Sequence, residues 1–408
     1  MRGKNIMKVL QIIRWAVRAA LASLLLPTLC ASAKPTPKPQ HVFIIVLENE
    51  GYHITFGPHS PATYLKKLAR DGAFLPNYYA IGHYSLDNYI AMVSGQGPNP
   101  TTQSDCQNYV PFLQTDTGAY GQAIGSGCIY QRNVSTIVNQ LESKGLAWKG
   151  YMEDMGNDPG RESAVCGQPA GYFPDSTQHA EKGDQYAARH NPFVYFYSIV
   201  DDWTNCAAHV VNFTALAADL KHVRTTPNYA FIVPNLCHDG HDPPEGQKAC
   251  VDGERGGLIS ANAFLHKNVR PILESPAFMQ DGLLIITFDE ADINDIKYDP
   301  STGKATFKGD ASACCHELPA PNITPGANVF EDRDEGPGVV GPGGGRIGAV
   351  LLSPFIRPGT QSSAPYNHYS MLRSIEDFFG VGHLGYAGQK GLRSFGTDIF
   401  TRPRWLSE

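Results

Sequence analysis

Basic side chains are the scarce ones in this sequence of 408 residues: 33 lysines and arginines stand against 39 aspartates and glutamates. Five of the cations, Arg2, Lys4, Lys8, Arg14 and Arg18, crowd into the extreme N-terminus. Behind them 28 bases face 39 acids, a net of −11, which argues against a general nucleic-acid or anionic-membrane surface. A membrane-spanning run is missing too. The apolar stretch over residues 19–26 is too short to cross a bilayer and is soon followed by Lys34-Pro35. There is no internal repeat, no low-complexity tract and no heptad run. There is no G-x-x-x-x-G-K-[ST] loop, no G-x-S-x-G elbow and no zinc-protease spacing. The G-x-G-x-x-G match at residues 336–341 contains proline and precedes a strand pattern, whereas a dinucleotide loop follows a strand and opens a helix.

What is present begins with a leader. The basic cluster, the short apolar run and Ala31-Ser32-Ala33 have the order of a signal peptide over residues 1–33. The expected product is a single domain over residues 34–408, secreted or periplasmic. Of 9 cysteines, Cys30 falls in the leader, and the remaining eight fit disulfides in an oxidising compartment. Pairing is open from sequence, including whether the adjacent Cys314 and Cys315 bond to each other. Cys314-Cys315-His316-Glu317 reads as structural in preference to metal-binding.

Short apolar runs at residues 42–47, 146–152, 229–233, 283–288 and 347–352 alternate with helical patterns at 62–70, 134–144, 211–223, 258–273 and 371–379. That alternation predicts an α/β fold, a parallel sheet covered by helices. Four of the runs lead into acid, amide or imidazole: Glu48-Asn49, Glu153-Asp154, Asn235 with His238, and Asp289-Glu290. Ligands in open α/β sheets bind beyond the carboxyl ends of the strands, so these residues are expected to meet. Residues 95–133, 155–210 and 291–346 break the rhythm and read as insertions, the first two disulfide-braced.

The most specific segment is residues 82–95. Leu86, Tyr89, Ile90 and Val93 recur at helical spacing, and Gly95 stops the helix. Ser85 then stands at the helix N-terminus, where backbone N–H groups and the dipole favour a phosphate and a developing alkoxide. On this segment alone Ser85 is either a nucleophile or an ordinary N-cap. Glu48, Asn49, Asp289 and Glu290 supply hard oxygen ligands for a divalent cation able to activate its hydroxyl. In His238-Asp239-Gly240-His241-Asp242, two imidazoles and two carboxylates occupy five positions, open to a metal subsite, a proton donor or a plain loop. His368, ahead of the last helical pattern, is a further candidate.

In this order, Val46-Leu47-Glu48-Asn49, His83-x-Ser85-x-x-Asn88-Tyr89, Pro234-Asn235-x-x-His238-Asp239-x-His241-Asp242, Thr287-Phe288-Asp289-Glu290 and His368-x-Ser370 resemble the phosphoesterase family. That family holds bacterial and fungal acid phosphatases and bacterial phospholipases C. The resemblance implies a doubly wound, mainly parallel, alkaline-phosphatase-like sheet. It implies Ser85 as the phosphorylated nucleophile, with a divalent cation at Glu48, Asn49, Ser85, Asp289 and Glu290. It further implies His238 and His368 assisting catalysis, and His83, Asn88, His241 and Asp242 around a small phosphorylated substrate. No nucleic-acid partner and no stable membrane association are expected. Asp87 departs from the family, which often has proline there. The segment after Asn49 lacks the Arg-Ser-Phe-Asp continuation of phospholipase C members. That favours a phosphomonoesterase over a phospholipase C or other phosphodiesterase, and Ser85 with four candidate oxygen ligands speaks against a non-catalytic phosphate-binding protein.

Overall fold

The chain's α/β character rests on three apolar segments buried on both faces. These are β1 (His41–Leu47), β5 (Tyr229–Val233) and β6 (Gly282–Phe288), whose residues are all inaccessible to solvent or nearly so. Runs such as His41-Val42-Phe43-Ile44-Ile45-Val46-Leu47 suit a parallel strand covered by helices on both sides. Each fully buried Val, Ile, Leu or Phe adds about 1.5–3 kcal/mol of apolar transfer. The computed structural model describes residues 38–171, 174–241, 243, 248–299, 304–323 and 343–401. The leader expected over residues 1–33 lies outside the described residues, as does Asp242.

The remaining sheet strands are β2 (Ala73–Leu75), β3 (Trp148–Met152), β4 (Val210–Asn212), β7 (Ala349–Leu352) and β8 (Thr360–Gln361). The eight-stranded order is β8-β2-β7-β6-β1-β5-β3-β4. β7 runs antiparallel to both β6 and β2, and the other pairings are parallel. Two groups of helices cover the sheet. α1 (Thr63–Asp71) packs with α4 (Gly257–Leu273), which also contacts α5 (Pro276–Asp281). α2 (Ser85–Ser94) packs with α3 (Ile137–Ser143) and α6 (His368–Phe379). The fold is the helix-covered α/β sheet that the alternation predicts and the doubly wound, mainly parallel one that the resemblance implies, with one reversed strand.

One helical pattern is corrected. Residues 211–223 do not form a helix: the β-branched Val210 and Val211 extend into β4, and Asn212 then caps a tight turn by accepting from Thr214 N at 3.0 Å. Only the single turn Leu216–Asp219 is α-helical there. Four disulfides link Cys106–Cys128, Cys166–Cys206, Cys237–Cys250 and the vicinal Cys314–Cys315. The first two close within the excursions at 95–133 and 155–210.

Register decides where the chemistry lies. Leu47 pairs with Phe288 across β1 and β6, so the next residues, Glu48 and Asp289, leave the sheet side by side. Asp289 N–H donates to Leu47 O at 2.8 Å, and Glu48 N–H donates to Asp239 O at 2.9 Å, tying in the segment beyond β5.

Candidate active site

Glu48 is the centre of the arrangement and has no solvent exposure. Its Oε2 accepts from Ser85 Oγ at 2.8 Å and from Asn49 Nδ2 at 3.0 Å. Its Oε1 accepts from Tyr89 OH at 2.8 Å and lies 3.3 Å from His190 Nε2. Burial, with the charges of Asp289 and Asp239 added, pushes the Glu48 carboxyl well above the usual range, against the opposing hydrogen bonds. Asn49 takes a positive φ of 53°. Asp289 Oδ1 fixes that turn by accepting from Asn49 N at 2.9 Å and from Glu290 N at 2.6 Å.

Ser85 is the first residue of α2 and 3% exposed. The N-cap position belongs to Tyr84, whose φ of 74° and ψ of 142° are unusual for a residue with a side chain. Asn88 holds that kink: its amide nitrogen donates to Gly82 O (3.0 Å) and Tyr84 O (3.1 Å), while Oδ1 accepts from Ile81 N and Gly82 N. Both amide hydrogens are thereby used, so Asn88 shapes the Ser85 turn and has no donor left for a substrate. The helix end is also less open than a bare N-terminus, because Leu86 N–H already donates to Asp105 Oδ1 at 2.9 Å. Asp87, at the family's proline position, is 1% exposed with neither carboxylate oxygen hydrogen-bonded by another side chain, and burial holds its pKa well up.

The other expected residues divide. Glu290 hydrogen-bonds His83 Nδ1, and His83 Nε2 bonds Asp310 O at 3.1 Å. Burial lowers His83 to about 4 and raises Glu290 well above its ordinary value. A neutral His83 donates through Nε2 to that carbonyl, with Nδ1 facing the Glu290 carboxyl. His368 is fully buried: its Nε2–H donates to Asp289 O at 2.6 Å and its Nδ1 lies 3.2 Å from Tyr78 OH. Burial holds it neutral, with a pKa of about 4. It braces the Asp289 backbone. His238 is clamped between Glu153 Oε2 (2.9 Å) and Glu254 Oε2 (3.1 Å). Burial disfavours its imidazolium, but those two carboxylates outweigh it and lift its pKa to about 9. His241 donates its backbone N–H to Asp239 Oδ1 at 2.9 Å. Burial of its ring, with the Arg189 charge added, lowers its pKa to about 4, although the residue as a whole is exposed.

Two residues enter to which the sequence had assigned no role at the site. His190 and Asp239 join Glu48 in a buried group whose ligand atoms all lie within 4.8 Å of one another. His190 stacks on Tyr89, with ring centroids 5.2 Å apart. It comes from the 155–210 excursion, in Arg189-His190-Asn191-Pro192, with no strand end to mark it. Asp239 stands in the dense ionisable run and in the motif beyond Pro234, where it carried no assigned role. The residues fit a divalent cation: His190 Nε2 and Asp289 Oδ2 are buried without hydrogen-bond partners, and the acids repel one another. An N/O donor set of imidazole and carboxylates suits a borderline or hard ion.

The titrating groups set a stability trend. Burial lifts Glu376 and Glu50 to about 8, so the unfolded chain ionises them first and stability is lost as pH rises. His238, raised to about 9, contributes stability below pH 6.5 that is also lost on the way up. Below 6.5 the depressed His83, His241 and His368 act in the opposite direction. In metal-free protein the melting temperature is expected to fall between pH 6.5 and 8, and a rise across that window in a pH series would contradict these assignments.

Residues 58–382 match the family model described as "Phosphoesterase family". The chain is 31% identical over 237 residues to the "Phosphate-repressible acid phosphatase" of Penicillium chrysogenum, covering 58% of this chain and 45% of that one. It is 27% identical to a "Probable acid phosphatase" of Kluyveromyces lactis, covering 84% of this chain and 59% of the relative. It is 23% identical to the "Phosphatidylinositol-3-phosphatase" of Mycobacterium tuberculosis, covering 88% and 82%. The chain thus spans about half the length of the fungal relatives it matches.

Proposed function

Because the chain belongs to the phosphoesterase family, we propose that it is an exported, metal-dependent phosphomonoesterase of the acid-phosphatase type with Ser85 as its nucleophile. The carrying observation is that Ser85 Oγ sits 2.8 Å from Glu48 Oε2, on the same carboxylate that forms the metal-capable group with His190 and Asp239. Asn49 and Asp289 complete the proposed binding set, with Glu290 behind them on His83. A divalent cation held there supplies positive charge that favours the serine alkoxide and offsets the buried acids.

Ser85 Oγ forms a bond to phosphorus as the ester P–O bond breaks, and the departing oxygen takes a proton. Water then attacks the phosphoserine, releasing inorganic phosphate and returning the proton to Ser85. Tyr89 and Asn49 orient Glu48 during both steps, and the Asn88-braced turn keeps Ser85 in line. His241 is the imidazole assigned as donor to the leaving oxygen, since His238 and His368 have both nitrogens engaged. A depressed His241 pKa makes that donation most effective in acid. Export is supported by the leader-like N-terminus and the four disulfides. Among the described residues no helix is long and apolar enough to cross a membrane.

The substrate class is tested by parallel assays on aryl or nucleoside monoesters, a diester and phosphatidylcholine. The monoesters are expected to exceed phosphatidylcholine in kcat/KM by at least about tenfold, roughly 1.4 kcal/mol of transition-state binding. A preference for the lipid or the diester would replace the phosphomonoesterase reading.

A further inference from the structure

Cys314 and Cys315 are bonded to each other and close a small ring through their own peptide link. Access sets them apart. The cysteines of the Cys106–Cys128, Cys166–Cys206 and Cys237–Cys250 links are each at most 5% exposed, whereas both members of the vicinal pair are partly exposed. The backbone around the ring is constrained: Cys315 and His316 take φ of 67° and 55°, left-handed values that residues with a side chain avoid unless something holds them. Glu317 N–H donates to Cys314 O at 3.1 Å, and Gln389 Nε2 donates to His316 O.

This turn touches the site on two sides. Cys315 packs against a cluster that includes Ile81, Ala91 and Tyr369. Ile81 N–H donates to Asn88 Oδ1 in the turn ahead of Ser85, and Ala91 lies on α2. On the other side Cys314 Sγ lies 3.3 Å from Tyr366 O, and Glu317 Oε2 accepts from Asn367 Nδ2 at 3.3 Å. Asn367 is the N-cap of α6 and accepts from Ser370 N at 3.0 Å. The next residue, His368, braces Asp289 O. One ring therefore reaches both the nucleophile turn and the Asp289 backbone.

We propose that Cys314–Cys315 is a thiol–disulfide exchange site: its oxidised form holds the active site in the competent geometry, and its reduction by a dithiol lowers turnover. A thiolate of the dithiol attacks one sulfur, forming a mixed disulfide as the Cys314–Cys315 bond breaks. The second thiol of the reagent then displaces the protein sulfur. Two electrons and two protons pass to the protein, leaving two cysteine thiols and the oxidised reagent. With the ring open, nothing covalent holds the left-handed turn, and Glu317 is released from Asn367 and the head of α6. The inference rests on the phosphoesterase reading of the site.

The test treats the full metal-loaded chain with graded dithiothreitol, alkylates it, maps the labelled cysteines by peptide mass and assays monoester turnover on the same samples. Cys314 and Cys315 are expected to label at a dithiothreitol concentration at least about tenfold below that needed for the other six. Turnover should fall in step with that labelling, by at least about tenfold, and return when oxidised glutathione restores the bond. A variant carrying both Cys314→Ser and Cys315→Ser should start low and lose nothing further at the same dithiothreitol concentration. An equal further loss there would assign the effect to capture of the metal by the reagent and overturn the proposal. So would labelling of another pair first, full turnover with Cys314 and Cys315 reduced, or a double variant that loses melting temperature alone. Should the double variant fail to fold, the reversible titration of wild type decides, with oxidised glutathione failing to restore turnover as the contrary result. Failure of the underlying reading looks different: oxidised wild type then turns over no monoester at all.

Discussion

Replacing Ser85 by alanine is expected to lower monoester turnover by a factor on the order of a thousand or more, with fold and bound metal retained. The structure separates this outcome from a capping effect. Ser85 is the first helical residue and not the N-cap, and its hydroxyl makes a single described hydrogen bond, to Glu48 Oε2. Removing it deletes one oxygen from a buried site, and such a bond is worth about 0.5–1.5 kcal/mol, or more when its partner is charged. Asn88 continues to hold the Tyr84 turn through four contacts that do not involve the Ser85 side chain. A purely structural serine therefore predicts a small drop in melting temperature with activity kept. A nucleophile predicts a near-normal melting temperature with activity lost. Turnover, melting temperature and metal content measured on one preparation distinguish them.

Glu48→Gln is expected to cut both metal content and activity, each by at least about tenfold and activity by about a hundredfold or more. The change preserves shape, so the effect reports charge. Glu48 receives hydrogen bonds from Ser85, Tyr89 and Asn49 and faces His190, and all of these are placed to serve an anionic carboxylate. With metal absent the sign for stability reverses. Burial, Asp289 and Asp239 already disfavour ionised Glu48, so a neutral amide removes repulsion from the core. Metal-free Glu48→Gln should melt no lower than metal-free wild type near neutral pH. A variant that keeps stoichiometric metal and most of its activity would show that Glu48 is not at the centre of the site.

The sheet was readable because its central strands need near-continuous apolar runs, and because each ended in residues that water or a ligand must satisfy. Glu48 and Asp289 were found on those grounds, and the Leu47–Phe288 pairing puts them together. The reversed direction of β7 was not readable, since residues 347–352 carry the same apolar signal in either direction. His83, Asn88, His238 and His368 show another limit. A motif identifies a polar side chain, but only the surrounding backbone decides whether its nitrogens face a cavity or a carbonyl. The nitrogens of His368 meet Tyr78 and Asp289 O, and those of His238 meet two carboxylates. His190, Arg189 and Asp105 left no pattern because they lie in irregular excursions without periodicity. Their positions depend on tertiary contacts, and the Cys106–Cys128 link lies beside Asp105.

The measurement that bears most directly on the account is acid quenching of the wild-type enzyme during monoester turnover, followed by peptide mass mapping. Phosphate on the peptide carrying Ser85, with a burst of alcohol release matching the enzyme concentration when dephosphorylation is slow, is the result predicted for a double displacement. Absence of phosphoserine, burst-free kinetics and an active Ser85→Ala variant would together contradict it, and would leave direct attack by water on the substrate as the reaction.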